Sequence, residues 1–304
     1  MPIKVKERPK KHHFVPRWYL QEFVNASSGF LIVYDKCGGA WRRQKPKEVM
    51  VINNYYRQLW APDGTDPDVV EIILGQMLEP NAKRAIGKLI KEGPLAKEDI
   101  VSLVFFIEFQ RIRVPREAER AKALTKLLLT KFVYEQPGLR DIAEELRRGR
   151  IQIKINDAVR FAYMKTVIGV FAAALPHMIW EVITASKGTS FLTTDSPVSL
   201  FNPAFPPPAE AGINQVGTSV LLPLTPNYLL MLGHPGYDSD NSPPPETPVD
   251  YPEVEDVRVK FRFWEMPPEG VKRINWVMAT LADRYIVAND ESVIDNALKH
   301  GIIS

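Results

Sequence analysis

The sequence has one cysteine, Cys37, in 304 residues. A single thiol closes no internal disulfide and builds no cysteine-based zinc finger. No apolar run approaches the roughly 20 residues that span a bilayer. The P-loop, GxGxxG, HExxH, GxSxG and CxxC patterns are all missing, which lowers the standing of the common nucleotide-binding, zinc-protease and serine-hydrolase classes. Charge of one sign is also scarce. Lys and Arg number 39 against 36 Asp and Glu, a net +3, short of the strongly basic balance that makes a nucleic-acid partner the default.

What is present is the composition of a globular protein, 45% hydrophobic and 25% charged. That argues against wholesale disorder, collagen and coiled coil, and a chain of this length can bury a core unaided. The start, Met1 to Lys11, is basic with no apolar core behind it, so it does not read as a secretory signal. A cytoplasmic, reduced protein with no membrane partner is expected. Lys4, Lys6, Arg8, Lys10, Lys11 and Arg17 crowd the start against Glu7, and Trp41-Arg42-Arg43-Gln44-Lys45 adds a second basic cluster. Such clusters can meet phosphates by counterion release, although a basic terminus is more often only a solvated tail. The expected organisation is a basic flexible tail at 1–10 and a single α+β domain at 11–304.

Patterning supports that class. Pro16 to Phe23 predicts a short helix, and Phe30–Asp35 with Ala40–Gln44 around Gly38-Gly39 predicts a β-hairpin. Helical periodicity covers 69–90, 96–114, 116–135, 139–148 and 157–175, with 96–114 apolar nearly all round. Strands are predicted at 178–184, 190–194, 219–222 and 228–232, with a further strand within 274–288 and a closing helix at 291–300. Residues 202–252 hold Pro206-Pro207-Pro208 and Pro243-Pro244-Pro245, the second in a surface loop or lid. Together these predict α+β: a central helical bundle, an N-terminal hairpin and a C-terminal, mainly antiparallel sheet.

Three constellations can carry chemistry. In Lys11-His12-His13-Phe14-Val15-Pro16, two imidazoles titrate near neutrality and can serve as acid, base or metal ligand. If Pro16 starts a helix, His13 lies just outside its N-terminus, where an anion is favoured. The bland alternative is one capping and one surface histidine. In Glu108-Phe109-Gln110-Arg111-Ile112-Arg113-Val114-Pro115, Gln110 and Arg113 are three apart, hence on one helix face. A buried Arg113 needs a partner, either a ligand or an internal carboxylate. In Thr193-Thr194-Asp195-Ser196-Pro197, an acid leaving an apolar strand can bind a metal, orient a histidine or act as a base; equally, it caps a turn. Glu79, His177, His234 and His300 are weaker candidates. Trp18, Tyr19, Tyr55, Tyr56 and Trp60 are expected in the core rather than as a base-stacking platform.

His12-His13-Phe14-Val15-Pro16 with Tyr19-Leu20 and Phe23, Val33-Tyr34-Asp35-Lys36, Gln110-Arg111-Ile112-Arg113-Val114-Pro115, Thr194-Asp195-Ser196-Pro197 and Leu222-Pro223-Leu224-Thr225-Pro226 together resemble domain-of-unknown-function family 4238. The likeness runs in order over nearly the whole chain. Phe14 stands where tyrosine is common and Ser196 where asparagine is common. The resemblance implies one continuous domain of bacterial type and supplies no activity. It also implies that His12, His13, Gln110, Arg113 and Asp195 belong together in one cleft.

The leading expectation is a phosphodiester hydrolase, nuclease-like, acting on nucleic acid or nucleotide. His13 would be acid or base, His12 its partner or a metal ligand, and Asp195 the orienting or metal-binding carboxylate. Lys11, Gln110 and Arg113 would hold phosphate. A divalent ion bound by such ligands would be manganese, zinc or iron. The rival is a non-catalytic anion- or nucleic-acid-binding module of a bacterial defence or regulatory system. A third reading is that these polar groups only knit the core.

Overall fold

A computed structural model describes residues 10–58, 66–234, 259 and 261–300. Lys4, Lys6, Arg8, Trp60 and Pro243–Pro245 lie outside the described residues. The chain divides into two compact units, the described parts of Met1–Arg111 with Gly169–Ser304, and Ile112–Ile168.

The first unit begins with β1 (Lys11–His13) and the short helix α1 (Arg17–Gln21). Pro16 precedes α1, where its fixed φ and missing N–H cost nothing. β2 (Leu31–Asp35) and β3 (Ala40–Gln44) form the expected hairpin, and Gly39 at φ 60 supplies the left-handed turn residue. β4 (Val51–Asn53) pairs antiparallel with β1. The helical stretch expected at 69–90 resolves into α2 (Val69–Ile73), a wide π-helical turn over Leu74–Leu78, and α3 (Glu79–Ile90). Pro80 accounts for the widening, because it cannot donate to the carbonyl four residues back and its ring crowds that oxygen. α4 (Lys97–Ile112) is the apolar helix, with Leu103, Phe106 and Ile107 buried.

The second unit is helical: α5 (Pro115–Glu135), α6 (Arg140–Arg147) and α7 (Val159–Val167). Pro115 lies in the first turn of α5. Lys122 on α5 pairs with Asp157 just before α7. The Tyr163 hydroxyl of α7 donates to Glu117 of α5 at 3.2 Å.

The single helix expected over 157–175 is broken. Gly169 takes φ 100, a value open to glycine but strained for residues with a Cβ. The first unit resumes there with α8 (Val170–Ala174). The Glu108 carboxylate accepts the N–H groups of Gly169 at 2.5 Å and Phe171 at 3.3 Å, satisfying donors that a helix start leaves open. Then come β5 (Ile179–Ala185), β6 (Thr193–Thr194), β7 (Ser199–Phe201), β8 (Ser219–Thr225) and β9 (Tyr228–Gly233). The described chain ends with β10 (Phe261–Met266), α9 (Pro268–Leu281), β11 (Tyr285–Ala288) and α10 (Glu291–His300).

The protein is α+β. One sheet has the order β10-β5-β9-β8-β7 and is antiparallel except where β10 runs parallel to β5. A second, β3-β2-β11-β6, is antiparallel throughout. The N-terminal hairpin is therefore completed by strands from much later in the chain. Within 274–288 only the last four residues are strand. The rest continues α9, whose Val271, Val277 and Met278 are buried in one cluster with Ile32 and Ile286 of one sheet and Ile183, Leu221 and Leu229 of the other. At roughly 25 cal/mol per Å² of apolar surface, burying such side chains is the main drive for this unit.

Candidate functional site

His12 and His13 lie in a strand, not at a helix start. Their register against β4 sets His12 opposite Ile52 and His13 opposite Val51, and the strand alternation buries His12 while leaving His13 half-buried and Lys11 exposed. The His12 ring stacks on Tyr56 with centroids 5.8 Å apart. Its Nδ1 accepts the Tyr56 backbone N–H at 3.0 Å, so a neutral His12 carries its proton on Nε2. His13 Nε2 lies 3.3 Å from the Pro46 carbonyl. α1 has only five residues, too short to set up the helix-end field expected to draw an anion to His13.

The second motif reaches the first through Gln110, whose Nε2 donates to the Phe14 carbonyl at 3.1 Å in a buried contact. Its neighbour Arg111 forms a buried ion pair with Glu210 at 2.8 Å. α4 ends at Ile112, so Arg113 does not share a helix face with Gln110 as their spacing predicts. Arg113 belongs to the second unit and is buried.

Asp195 is held elsewhere, after the short strand β6. Its carboxylate accepts three backbone N–H groups, from Asp283 at 3.1 Å, Arg284 at 2.7 Å and Tyr285 at 2.9 Å. Burial is the larger influence on this acid and pushes its pKa up to about 6, against the three N–H bonds that favour the charged form. The same segment, 279–285, receives the hairpin. Asp35 takes both Nε and Nη2 of Arg284, at 3.0 and 2.9 Å, and also Arg42 at 3.1 Å. Arg284 holds the Asp35 carboxyl below its ordinary range. Lys36 Nζ donates to the carbonyls of Ala279, Thr280 and Ala282 at 2.9, 3.2 and 2.6 Å, which closes the C-terminal end of α9 with a cation.

Tyr19 ties the two groups together. Its hydroxyl donates to the Pro223 carbonyl at 2.6 Å and lies 2.8 Å from Thr193 Oγ1. With the phenolic proton directed at the carbonyl, the threonine hydroxyl is the donor to Tyr19. Complete burial pushes the Tyr19 pKa well above the usual phenol range. One side chain thus joins the helix after His-His-Phe-Val-Pro to the strand before Asp195 and to Leu222-Pro223-Leu224.

The motif residues therefore gather at two places. His12, His13 and Gln110 meet the segments around Phe14, Pro46 and Tyr56; Asp195, Asp35 and Lys36 converge on 279–285. The bonds that hold Asp195 are to backbone, not to either histidine. Among the described residues no group of three His, Cys, Asp or Glu is arranged to hold a metal ion, so the expected manganese, zinc or iron finds no ligand set there. Of the weaker candidates, Glu79 accepts Trp18 Nε1–H at 3.2 Å, and buried His234 has its pKa lowered by desolvation. Tyr19, Tyr55 and Tyr56 are buried as expected. Sequence reasoning missed Arg284 and Asn275, and placed Tyr56 in the core without its backbone bond to His12. Asn275 accepts from Leu192 N–H at 3.0 Å and donates to the Ser190 carbonyl at 2.8 Å. Its signal was a lone amide on the apolar face of a helix that had not been recognised.

A family model, DUF4238, described as a protein of unknown function, matches residues 11–292. No curated protein and no solved structure matches the chain. The match takes in every segment that meets at Tyr19, Asp195 and Asp35, and the chain belongs to the DUF4238 family.

Proposed function

We propose that the chain is a non-catalytic module that binds a nucleic acid or a similar polyanion through its N-terminal basic surface. The observation that carries this is the exposed cationic edge at β3. That strand is the outermost of its sheet, and Trp41, Arg42 and Arg43 are all exposed on it, followed by exposed Lys45 and Lys47. Residues 1–58 hold twelve Lys and Arg against four Asp and Glu, so the modest overall charge conceals a strongly basic first fifth. An aromatic beside guanidinium groups offers a base both stacking and phosphate contacts. Exposed Lys11 and Arg17 extend the cationic character to β1 and α1.

Phosphodiester hydrolysis is the second reading, favoured by His13 in particular. It is half-buried, whereas His12 and Asp195 are buried and bonded to backbone N–H groups. In that reading His13 is the acid or base and Lys11 holds phosphate, with Gln110 acting through the Phe14 carbonyl to position the strand.

One experiment separates the two. Binding of DNA and RNA oligonucleotides is followed by fluorescence anisotropy across a salt series, with cleavage scored in the same samples with and without manganese or zinc. A binder shows log affinity falling linearly with log salt, by about 0.7 to 0.9 per phosphate neutralised. Arg43→Gln and Lys47→Gln each reduce that slope. Cleavage lost in folded His13→Ala moves the assignment to hydrolysis. No binding at low salt overturns the proposal.

A further inference from the structure

The second unit carries a feature that the proposed function leaves unused. α5 is 21 residues long, and from its middle onward it presents Leu124, Leu127, Leu128 and Phe132 to solvent. Leu127 is 65% exposed, Leu128 58% and Phe132 53%. These positions follow i, i+3, i+4, i+8, the spacing of one helix face. Leu129 is exposed as well. Three consecutive leucines turn through about 200° of a helix, so the apolar surface is broader than the single stripe that a helix lays into a protein groove. Lys131 lies on that face, four residues after Leu127, and Lys126, three before Leu129, borders the far side of the apolar surface, with no acid between Glu119 and Glu135. Lys131 reaches Glu135 only at 3.8 Å.

Charge narrows the choice of occupant. Residues 112–168 hold thirteen Lys and Arg against seven Asp and Glu, a net +6, while the chain as a whole is +3. The remaining residues therefore sum to −3. A second copy would set another unit of net +6 against this one, and like charge opposes that pairing. A nucleic acid would satisfy the lysines and leave the leucines wet. A surface that presents anionic headgroups above an apolar interior satisfies both.

We infer that α5 docks the protein on an anionic membrane surface, with Leu127, Leu128 and Phe132 in the headgroup boundary and Lys126 and Lys131 on lipid phosphates. The sequence expectation of no membrane partner rested on the lack of a spanning run. A helix that lies in the interface needs none, only an apolar face and flanking cations. The stretch Val159–His177 passes a length and hydropathy test for spanning, but Gly169 breaks it into two helices. The docking therefore rests on α5 alone.

The test is flotation of the full chain with vesicles of phosphatidylcholine alone and with about a third phosphatidylserine. Binding to the anionic vesicles only is expected, falling by more than tenfold in Leu127→Asp/Leu128→Asp. Each of Lys126→Gln and Lys131→Gln should cost about fivefold, in line with the electrostatic contribution of one lysine near an anionic leaflet. Arg43→Gln should weaken nucleic-acid binding more than vesicle binding and Leu127→Asp/Leu128→Asp should do the reverse, which separates this face from the N-terminal basic surface. Because the substituted residues are exposed, circular dichroism should show an unchanged fold. Failure to float with anionic vesicles at low salt overturns the inference. So does flotation that the double leucine variant does not weaken, which would signify adsorption by charge elsewhere. A dimer in light scattering that the leucine variant dissolves, without vesicle binding, assigns the face to a second copy instead.

Discussion

Asp195, Tyr19 and Gln110 are polar and buried, whereas Leu127, Leu128 and Phe132 are apolar and exposed. The first group lies in the unit that holds the sheets, the second in the helical unit. Each inverts the usual preference, and the two inversions have different meanings. A buried polar group persists where bonds replace its lost hydration, as three N–H donors do for Asp195. An exposed apolar face has nothing in its own fold to offset the contact with water, so its explanation lies in a partner. The difference predicts that substitutions in the first region change stability and that substitutions in the second change binding.

The largest effect is expected at Asp195. In Asp195→Ala three partly buried N–H groups lose their acceptor, and unfolding in urea should show a loss of about 3 kcal/mol. Asp195→Asn keeps one acceptor oxygen and should fall between it and the wild type. A loss below about 1 kcal/mol in the alanine variant would remove Asp195 from the structural group and return it to the candidate reactive residues.

Next in size is the pH response of the same residue. Its carboxyl titrates near 6 in the folded protein against an ordinary 3.8. Between those values the folded state binds more protons than the unfolded one, so this group's contribution to stability rises as pH falls from 7 toward 4. The gain should approach about 3 kcal/mol, at roughly 1.4 kcal/mol per pH unit. Unfolding free energies at pH 7 and pH 5 should show wild type gaining on Asp195→Asn. The reverse sign would mean that the three N–H bonds outweigh burial.

Tyr19→Phe should cost about 1 to 3 kcal/mol, because the Pro223 carbonyl loses its donor and Thr193 its acceptor in a buried place. Urea midpoints check it, and little change would show the join among the three motif segments to be dispensable. The smallest effect is expected at the contrasting region. Leu128→Asp should shift stability by no more than about 0.5 kcal/mol, since the side chain is already largely in water. A loss of several kcal/mol there would mean that α5 packs within its own fold, and the contrast between the units would collapse.

Much of the local structure is readable in short stretches. The β2–β3 hairpin follows from an apolar run, Gly38-Gly39 and a second run. α5 and α6 follow from 3.6-residue periodicity, and α4 from a long apolar run that Pro115 ends. The misreadings have local causes whose outcome depended on distant groups. Gly169 divides the helix after α7, and the new start at α8 is held by Glu108, 61 residues earlier. α9 is one-sided, with Val271, Ile274, Val277, Met278 and Leu281 on the face that two sheets cover, so its spacing was legible and the reading of a strand within 274–288 passed over it. The polar motif residues stood out by type and order, but not their partners. His12 was singled out as a reactive group, whereas Nδ1 is engaged by Tyr56, 44 residues later.

Hairpin turns and helix faces are decided between residues a few positions apart, where glycine conformation, proline restriction and side-chain period act directly. For that reason the α+β class and the order of its main elements were open to reading. The pairing of β1 with β4, the parallel seat of β10 on β5 and the closing of the hairpin sheet by β11 depend on contacts across tens to hundreds of residues. So do the bonds of Asp195 to 283–285 and of Asp35 to Arg284. Such contacts form only when packing brings the segments together and burial makes each unsatisfied polar group costly. That selection takes place in the folded core.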